Sequence, residues 1–121
     1  PFDRGLSTFL ADLKDHGLLE TTLVVCVGEF GRTPWINKDA GRDHWPDCYS
    51  VVLAGGGTRP GTVFGASSRH ASYPTLYPVG PWDLGATMFH CLGIPPEQHI
   101  QNRRGQPIPL SPGRVIDGLL A

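Results

Sequence analysis

The run "TTLVVCV", Thr21 to Val27, decides how this chain is read. Its β-branched and apolar residues follow one another without polar alternation. A strand with one wet face alternates, whereas a continuous apolar run suits a strand covered on both faces, as in a parallel sheet flanked by helices. Just before it, Leu6, Phe9, Leu10 and Leu13 fall at i, i+3, i+4 and i+7, the stripe of an amphipathic helix. Asp3 near the start suits the helix dipole, and Gly17 is placed to cap the last turn. Helix, short link and buried strand make half of a βαβ unit. The prediction is a central strand at Thr21–Val27, hydrogen-bonded on both sides in the intact protein and covered by the Leu6–Leu13 helix.

Downstream, "YSVVLA", Tyr49 to Ala54, reads as a second buried strand, stopped by Gly55, Gly56 and Gly57. "GTVFG", Gly61 to Gly65, reads as a short edge strand or half a hairpin. Ala66 to Pro81 reads mostly as loop, because Pro74, Pro78 and Pro81 interrupt any regular element. A second helix is predicted from Trp82 and Asp83 to Leu92, with Gly93 as its cap. The tail from Gly93 carries five of the twelve prolines and is expected to be irregular until a short turn over Val115–Leu120. Two helices and two or three strands cannot cover both faces of an independent sheet. The expected fold class is therefore α/β, with the 121 residues forming the C-terminal portion of a larger domain.

Composition narrows the function classes. The length allows one domain with a modest core. Forty per cent hydrophobic and 17% charged residues fit a globular chain rather than a disordered one. A net charge of −1 supplies no basic field for nucleic acid, and no apolar run approaches the ~20 residues that span a bilayer. The opening "PFDRGLSTFL" carries no signal pattern and reads as the interior of a longer chain. Cys26, Cys48 and Cys91 lie far apart with no CxxC spacing, so the sequence suggests no disulfide framework or zinc site.

The chemistry lies where the apolar run stops at Glu29 and opens into "GEFGRTPWINKDAGRDHWPD", Gly28 to Asp47. A carboxylate at the end of a buried strand is costly unless it is paired, hydrogen-bonded or bound to a cation. Glu29 is therefore either a metal or catalytic group or the ion-pair partner of Arg32. An imidazole can offer one ring nitrogen to a metal, so His44 reads either as a ligand or as an exposed loop side chain beside Trp45. Asp43 fits a ligand role or a loop-capping role equally well. Arg32 can hold a tetrahedral oxyanion with two parallel hydrogen bonds or neutralise Glu29 or Asp43. The run "GGGTRPG" lacks the Lys-Ser/Thr ending of a phosphate loop and reads as a flexible turn.

"EFGRTP", the Asp-His pair of "GRDHWP" and "DLGATMFHCLGI" together resemble one family. The chain resembles the C-terminal region of the DUF1501 proteins, sulfatase-like members of the alkaline phosphatase superfamily. That resemblance implies a doubly wound, mostly parallel sheet flanked by helices, with a metal site at the strand ends. It implies a metal-dependent hydrolase of phosphate or sulfate esters, small-molecule or glycan, whose nucleophile lies upstream. The alternative is a non-catalytic relative that binds a glycan, an anion or a protein. Glu29 matches the acidic ligand position at the strand end, and His44 falls where a further His ligand follows and matches the family's own Asp-His pair. Asp43 as a ligand and Arg32 as the catalytic group steadying the anion remain candidates on their own chemistry. Phe30 stands where a second ligand is usual and cannot bind metal. Oxygen-plus-nitrogen ligation favours Zn or Mn over Mg, with Ca also open. The resemblance further implies packing against the N-terminal remainder of the same chain and an exported or periplasmic location.

Overall fold

A computed structural model describes residues 1–121. Helix α1, Phe2–Asp15, forms where the stripe predicts it. It ends on Gly17 at φ 67°, with the Gly17 N–H donating to the Lys14 carbonyl and Leu18 N–H to Leu13. Strand β1, Val24–Cys26, follows. Short strands β2 (Gly31–Arg32) and β3 (His44–Trp45) make a hairpin, and β4, Val52–Ala54, returns to β1. Two more hairpins, β5–β6 (Ala66–Ser67 and Pro74–Leu76) and β7–β8 (His99–Gln101 and Pro107–Pro109), flank helix α2, Pro81–Cys91. A single 3₁₀ turn closes the chain at Asp117–Leu119.

The predicted doubly wound parallel sheet is not there. All four sheets are two-stranded and antiparallel. β1 pairs on one side only, Val24 with Ala54 and Cys26 with Val52. The reason lies between the two strands. A parallel partner needs a crossover, usually helical, whereas residues 27–51 hold no helix and fold back as the β2–β3 hairpin. The β1 run is half-buried throughout, and α1 buries none of its residues, so the expected helical cover over the strand is also absent. An apolar run without alternation was consistent with two-sided burial but did not require it.

Two loop predictions also give way to hairpins. In β7–β8, Asn102 N–H donates to Gln106 O and Leu110 N–H to Gln98 O. Alternation then makes Ile100 and Ile108 a hydrogen-bonded pair, and Pro107 and Pro109 fall at the intervening positions where no ladder donor is needed. Pro74 similarly begins β6 rather than interrupting it. The segment Gly61–Gly65 forms no strand, and Phe64 instead stacks on Tyr77 with ring centroids 5.3 Å apart.

The small core sits where α2 meets the tail. Ala86, Thr87, Ser111 and Ile116 are among only six buried residues, so this knot is the best-packed part of the chain. Pro81 starts α2, where its missing N–H costs nothing, and Gly93 at φ 74° ends it. Asp83 Oδ2 accepts from the Gly80 N–H at 2.8 Å, and its Oδ1 accepts from the Arg114 N–H at 2.8 Å. Thr87, one turn on, donates to the Asp83 carbonyl at 2.7 Å and accepts from the Ile116 N–H at 3.0 Å. Ser111 donates to the Trp82 carbonyl at 2.8 Å. The polar residues of "DLGATMFHCLGI" thus fasten the tail to the helix.

The Arg114 and Gly80 N–H groups hold the Asp83 carboxyl below the usual Asp value, against a smaller opposing effect of desolvation. A carboxyl with a lowered folded pKa contributes stability that is fully present above its unfolded value of about 3.9. That contribution is lost as pH falls through the lower folded value. Urea midpoints of the full-length protein are expected to fall between pH 5 and pH 3, and Asp83→Asn is expected to flatten that fall while lowering the midpoint at pH 7.

Candidate functional site

The β2–β3 hairpin carries most of the residues singled out from the sequence. Gly31 pairs with Trp45 and Arg32 with His44. Beyond them the Thr33 N–H donates to the Asp43 carbonyl at 3.0 Å. Alternation along the ladder makes Arg32 and His44 a non-hydrogen-bonded pair, the kind whose side chains share a face and approach most closely. Phe30, two residues before Arg32, falls on that face as well. Its ring stacks on His44 with centroids 3.8 Å apart at 23°, and the Arg32 guanidinium carbon lies 5.6 Å from the same ring. Arg32, Phe30 and His44 therefore form one layered group, with Arg32 and His44 exposed. Phe30, which cannot bind metal, acts as the platform that sets the other two.

The loop between the strands is held by a residue that the sequence reading did not single out. Asn37 Oδ1 accepts from the Asp39 N–H at 3.0 Å and from the Gly41 N–H at 2.9 Å, and its Nδ2 donates to Asp43 Oδ1 at 2.9 Å. Its backbone N–H donates to the Gly41 carbonyl, and its own carbonyl accepts from Ala40, whose φ is 56°. The signal was present as an Asn ahead of an Asp and a Gly, the composition of an Asx turn. Thr33 is buried, donating to the Trp35 carbonyl at 2.9 Å and accepting from the Asp43 N–H at 3.2 Å. Arg42 reaches back to the Thr33 carbonyl, and Arg32 donates to the Arg42 carbonyl at 3.2 Å.

The opposite face of the hairpin is a packing face. Trp45 meets Trp35 edge to face at 5.0 Å and donates to the Ser72 carbonyl at 2.7 Å, which ties this hairpin to β5–β6. Gly31 sits so close to the Cys48 carbonyl that any Cβ would strike it. The glycine of "EFGRTP" is thereby explained by close backbone approach.

Of the sequence-predicted residues, the structure brings Arg32 and His44 together. Asp43 adjoins them in the chain, but its carboxylate is engaged by Asn37. Glu29 lies exposed at a bend, just before Phe30. No group of three or more His, Cys, Asp or Glu side chains is arranged to hold an ion. Cys26, Cys48 and Cys91 are free, and burial pushes the Cys91 thiol upward. The "GGGTRPG" run is a turn: Gly55 and Gly56 have φ of 71° and 52° and lie against Leu19, Thr22 and Leu23 with no room for a Cβ.

The sequence model of a family described as "Protein of unknown function (DUF1501)" matches residues 1–120. The chain belongs to the DUF1501 family. Comparison with curated proteins and with solved structures finds no match. Membership in DUF1501 places the "EFGRTP" hairpin and the α2 knot in a family context without assigning either a reaction. No helix of this DUF1501 chain is long and apolar enough to cross a membrane.

Proposed function

We propose that the exposed Arg32–Phe30–His44 layer is an oxyanion-binding face, and that the intact protein uses it to process phosphate or sulfate esters. The observation that carries this reading is the cross-strand pairing of Arg32 with His44, stacked through one aromatic ring. Arg32 commits one N–H to the Arg42 carbonyl and keeps the rest of its fork for an anion. His44 adds a ring N–H donor from the same face. The stacking limits the rotamer freedom that both side chains would otherwise lose on binding.

Chemistry on an ester needs a nucleophile that this hairpin does not supply. The Thr33 hydroxyl is buried and already engaged by the Trp35 carbonyl and the Asp43 N–H. Nucleophile and activator must lie within hydrogen-bond reach of each other, so the proposal draws them from outside residues 1–121. The same holds for a divalent ion: Glu29, Asp43 and His44 offer oxygen and nitrogen donors suited to Zn or Mn, with further ligands required from elsewhere.

The second reading, binding without catalysis, is favoured by the engagement of the Thr33 hydroxyl with the Trp35 carbonyl and the Asp43 N–H. The two readings part on one assay. Full-length protein supplied with Zn²⁺ or Mn²⁺ is expected to turn over an aryl phosphate or an aryl sulfate, with kcat/KM at least tenfold lower in Arg32→Ala. Residues 1–121 alone are expected to hydrolyse neither. Full-length protein that binds sulfate at Arg32 but turns over neither ester would establish the binding reading.

A further inference from the structure

We propose that the recess between Phe64, the entry to α2 and the tail is a binding site for a free aromatic α-amino acid. The recess has a volume of about 340 Å³, inside the range of roughly 300–1,000 Å³ typical of small-molecule sites. Phe64, Pro78, Val79 and Val115 supply apolar wall, and Asp83 and Arg114 stand among them as two opposite charges. None of these residues belongs to the β2–β3 hairpin, so the site is separate from the anion-binding face.

The walls are set by packing from outside the recess. The Phe64 ring stacks on Tyr77 with centroids 5.3 Å apart and lies so close to Gly118 that a Cβ there would strike it. Tyr77, next to Pro78 in the chain, holds φ at 43°, in the left-handed region. A bulky residue is uncommon there, and strain of this kind clusters at ligand clamps. On the other side, the bond from the Ile116 N–H to Thr87 fixes the tail next to Val115. Walls already in place leave little to order on binding.

The charge pattern selects the ligand. Arg114 is exposed and enters the knot through its backbone N–H, which leaves the guanidinium fork for a ligand carboxylate. Asp83 accepts from two backbone N–H groups, and an ionised carboxylate has about four acceptor sites. The Arg114 and Gly80 N–H groups hold its carboxyl low, and the Arg114 charge adds a smaller effect in the same direction. Asp83 is therefore ionised at neutral pH and can take a ligand ammonium. A plain carboxylate would meet the Asp83 charge uncompensated, and a plain amine would meet Arg114. A zwitterion satisfies both, while its ring enters the apolar part and packs on Phe64.

The test is an NMR titration of the full-length protein with phenylalanine, following the methyl groups of Val79 and Val115. Both are expected to shift along one saturating curve, with a Kd of about 1 mM or tighter. 3-Phenylpropionate, which lacks the ammonium, and phenethylamine, which lacks the carboxylate, are each expected to bind at least tenfold more weakly. Arg114→Ala keeps the backbone N–H that Asp83 uses. It is expected to weaken phenylalanine at least tenfold and to leave phenethylamine unchanged. The comparison of the three ligands is made on the wild-type protein, so it holds whatever the variant does. No saturable shift of the two valines with phenylalanine, or a loss smaller than tenfold with either analogue, would overturn the proposal. So would an Arg114→Ala variant that folds and binds phenylalanine as tightly as wild type.

Discussion

Thr87→Val is expected to destabilise the full-length protein by about 1–3 kcal/mol, the cost of leaving a buried polar group without its partner. The shape of the side chain is nearly unchanged, so little of that loss comes from packing. Thr87 is fully buried, and its one hydroxyl serves two backbone groups at once. It satisfies the Asp83 carbonyl inside α2 and the Ile116 N–H in the tail. Valine leaves the Ile116 N–H without its acceptor at the best-packed place in the chain. Thr87→Ser keeps the hydroxyl and is expected to cost about 1 kcal/mol, the value of one buried methyl group. Urea unfolding of both variants checks the order. Equal losses in Val and Ser would mean that the methyl, not the hydroxyl, holds the tail.

Arg32→Ala is expected to weaken phosphate or sulfate binding by about tenfold to a hundredfold, the range for losing hydrogen bonds to a charged group. Arg32→Lys keeps the charge but not the planar fork, and it stacks poorly on Phe30, so it is expected to recover only part of the loss. Phe30→Leu removes the platform while leaving both polar groups in place. It is expected to fall between wild type and Arg32→Ala. A Lys variant as tight as wild type would mean that charge alone attracts the anion and that the layered geometry is incidental.

The helices were legible in the sequence because their signals are local. The stripe of α1 and Gly17 and Gly93 past the helix ends sit within a turn of what they determine, whereas Pro81, read as an interruption, is the first residue of α2. The location of two strands was also legible, since β1 and β4 fall inside the predicted runs. Pairing was not. Whether β1 lies beside a parallel or an antiparallel partner depends on what residues 27–51 do, and a Gly-rich loop gives little period to read. Pro107 and Pro109 misled for a related reason, because proline disrupts a ladder only at the positions that donate.

The candidate site was legible as residue types and not as geometry. Arg32 and His44 stood out by their chemistry, but their direct opposition is a matter of register that spacing alone could not fix. Phe30 was read as a missing ligand, and its stacking on His44 gives it a different role. Asn37 went unread because its partners are backbone groups, which leave no mark in a sequence beyond the nearby Gly and Asp. Asp83 and Thr87 carried a family-like motif and turned out to bind the tail.

The anion-binding reading of the hairpin stands or falls on whether Arg32 and His44 respond together. The measurement is an NMR titration of full-length protein with inorganic phosphate and, separately, sulfate, following the Arg32 side-chain N–H and the His44 ring. Both signals are expected to shift along one saturating curve, and in Arg32→Ala the His44 response is expected to move to about tenfold to a hundredfold higher anion concentration. Saturable binding that leaves these two signals unmoved, or no saturable binding at all, would contradict the assignment.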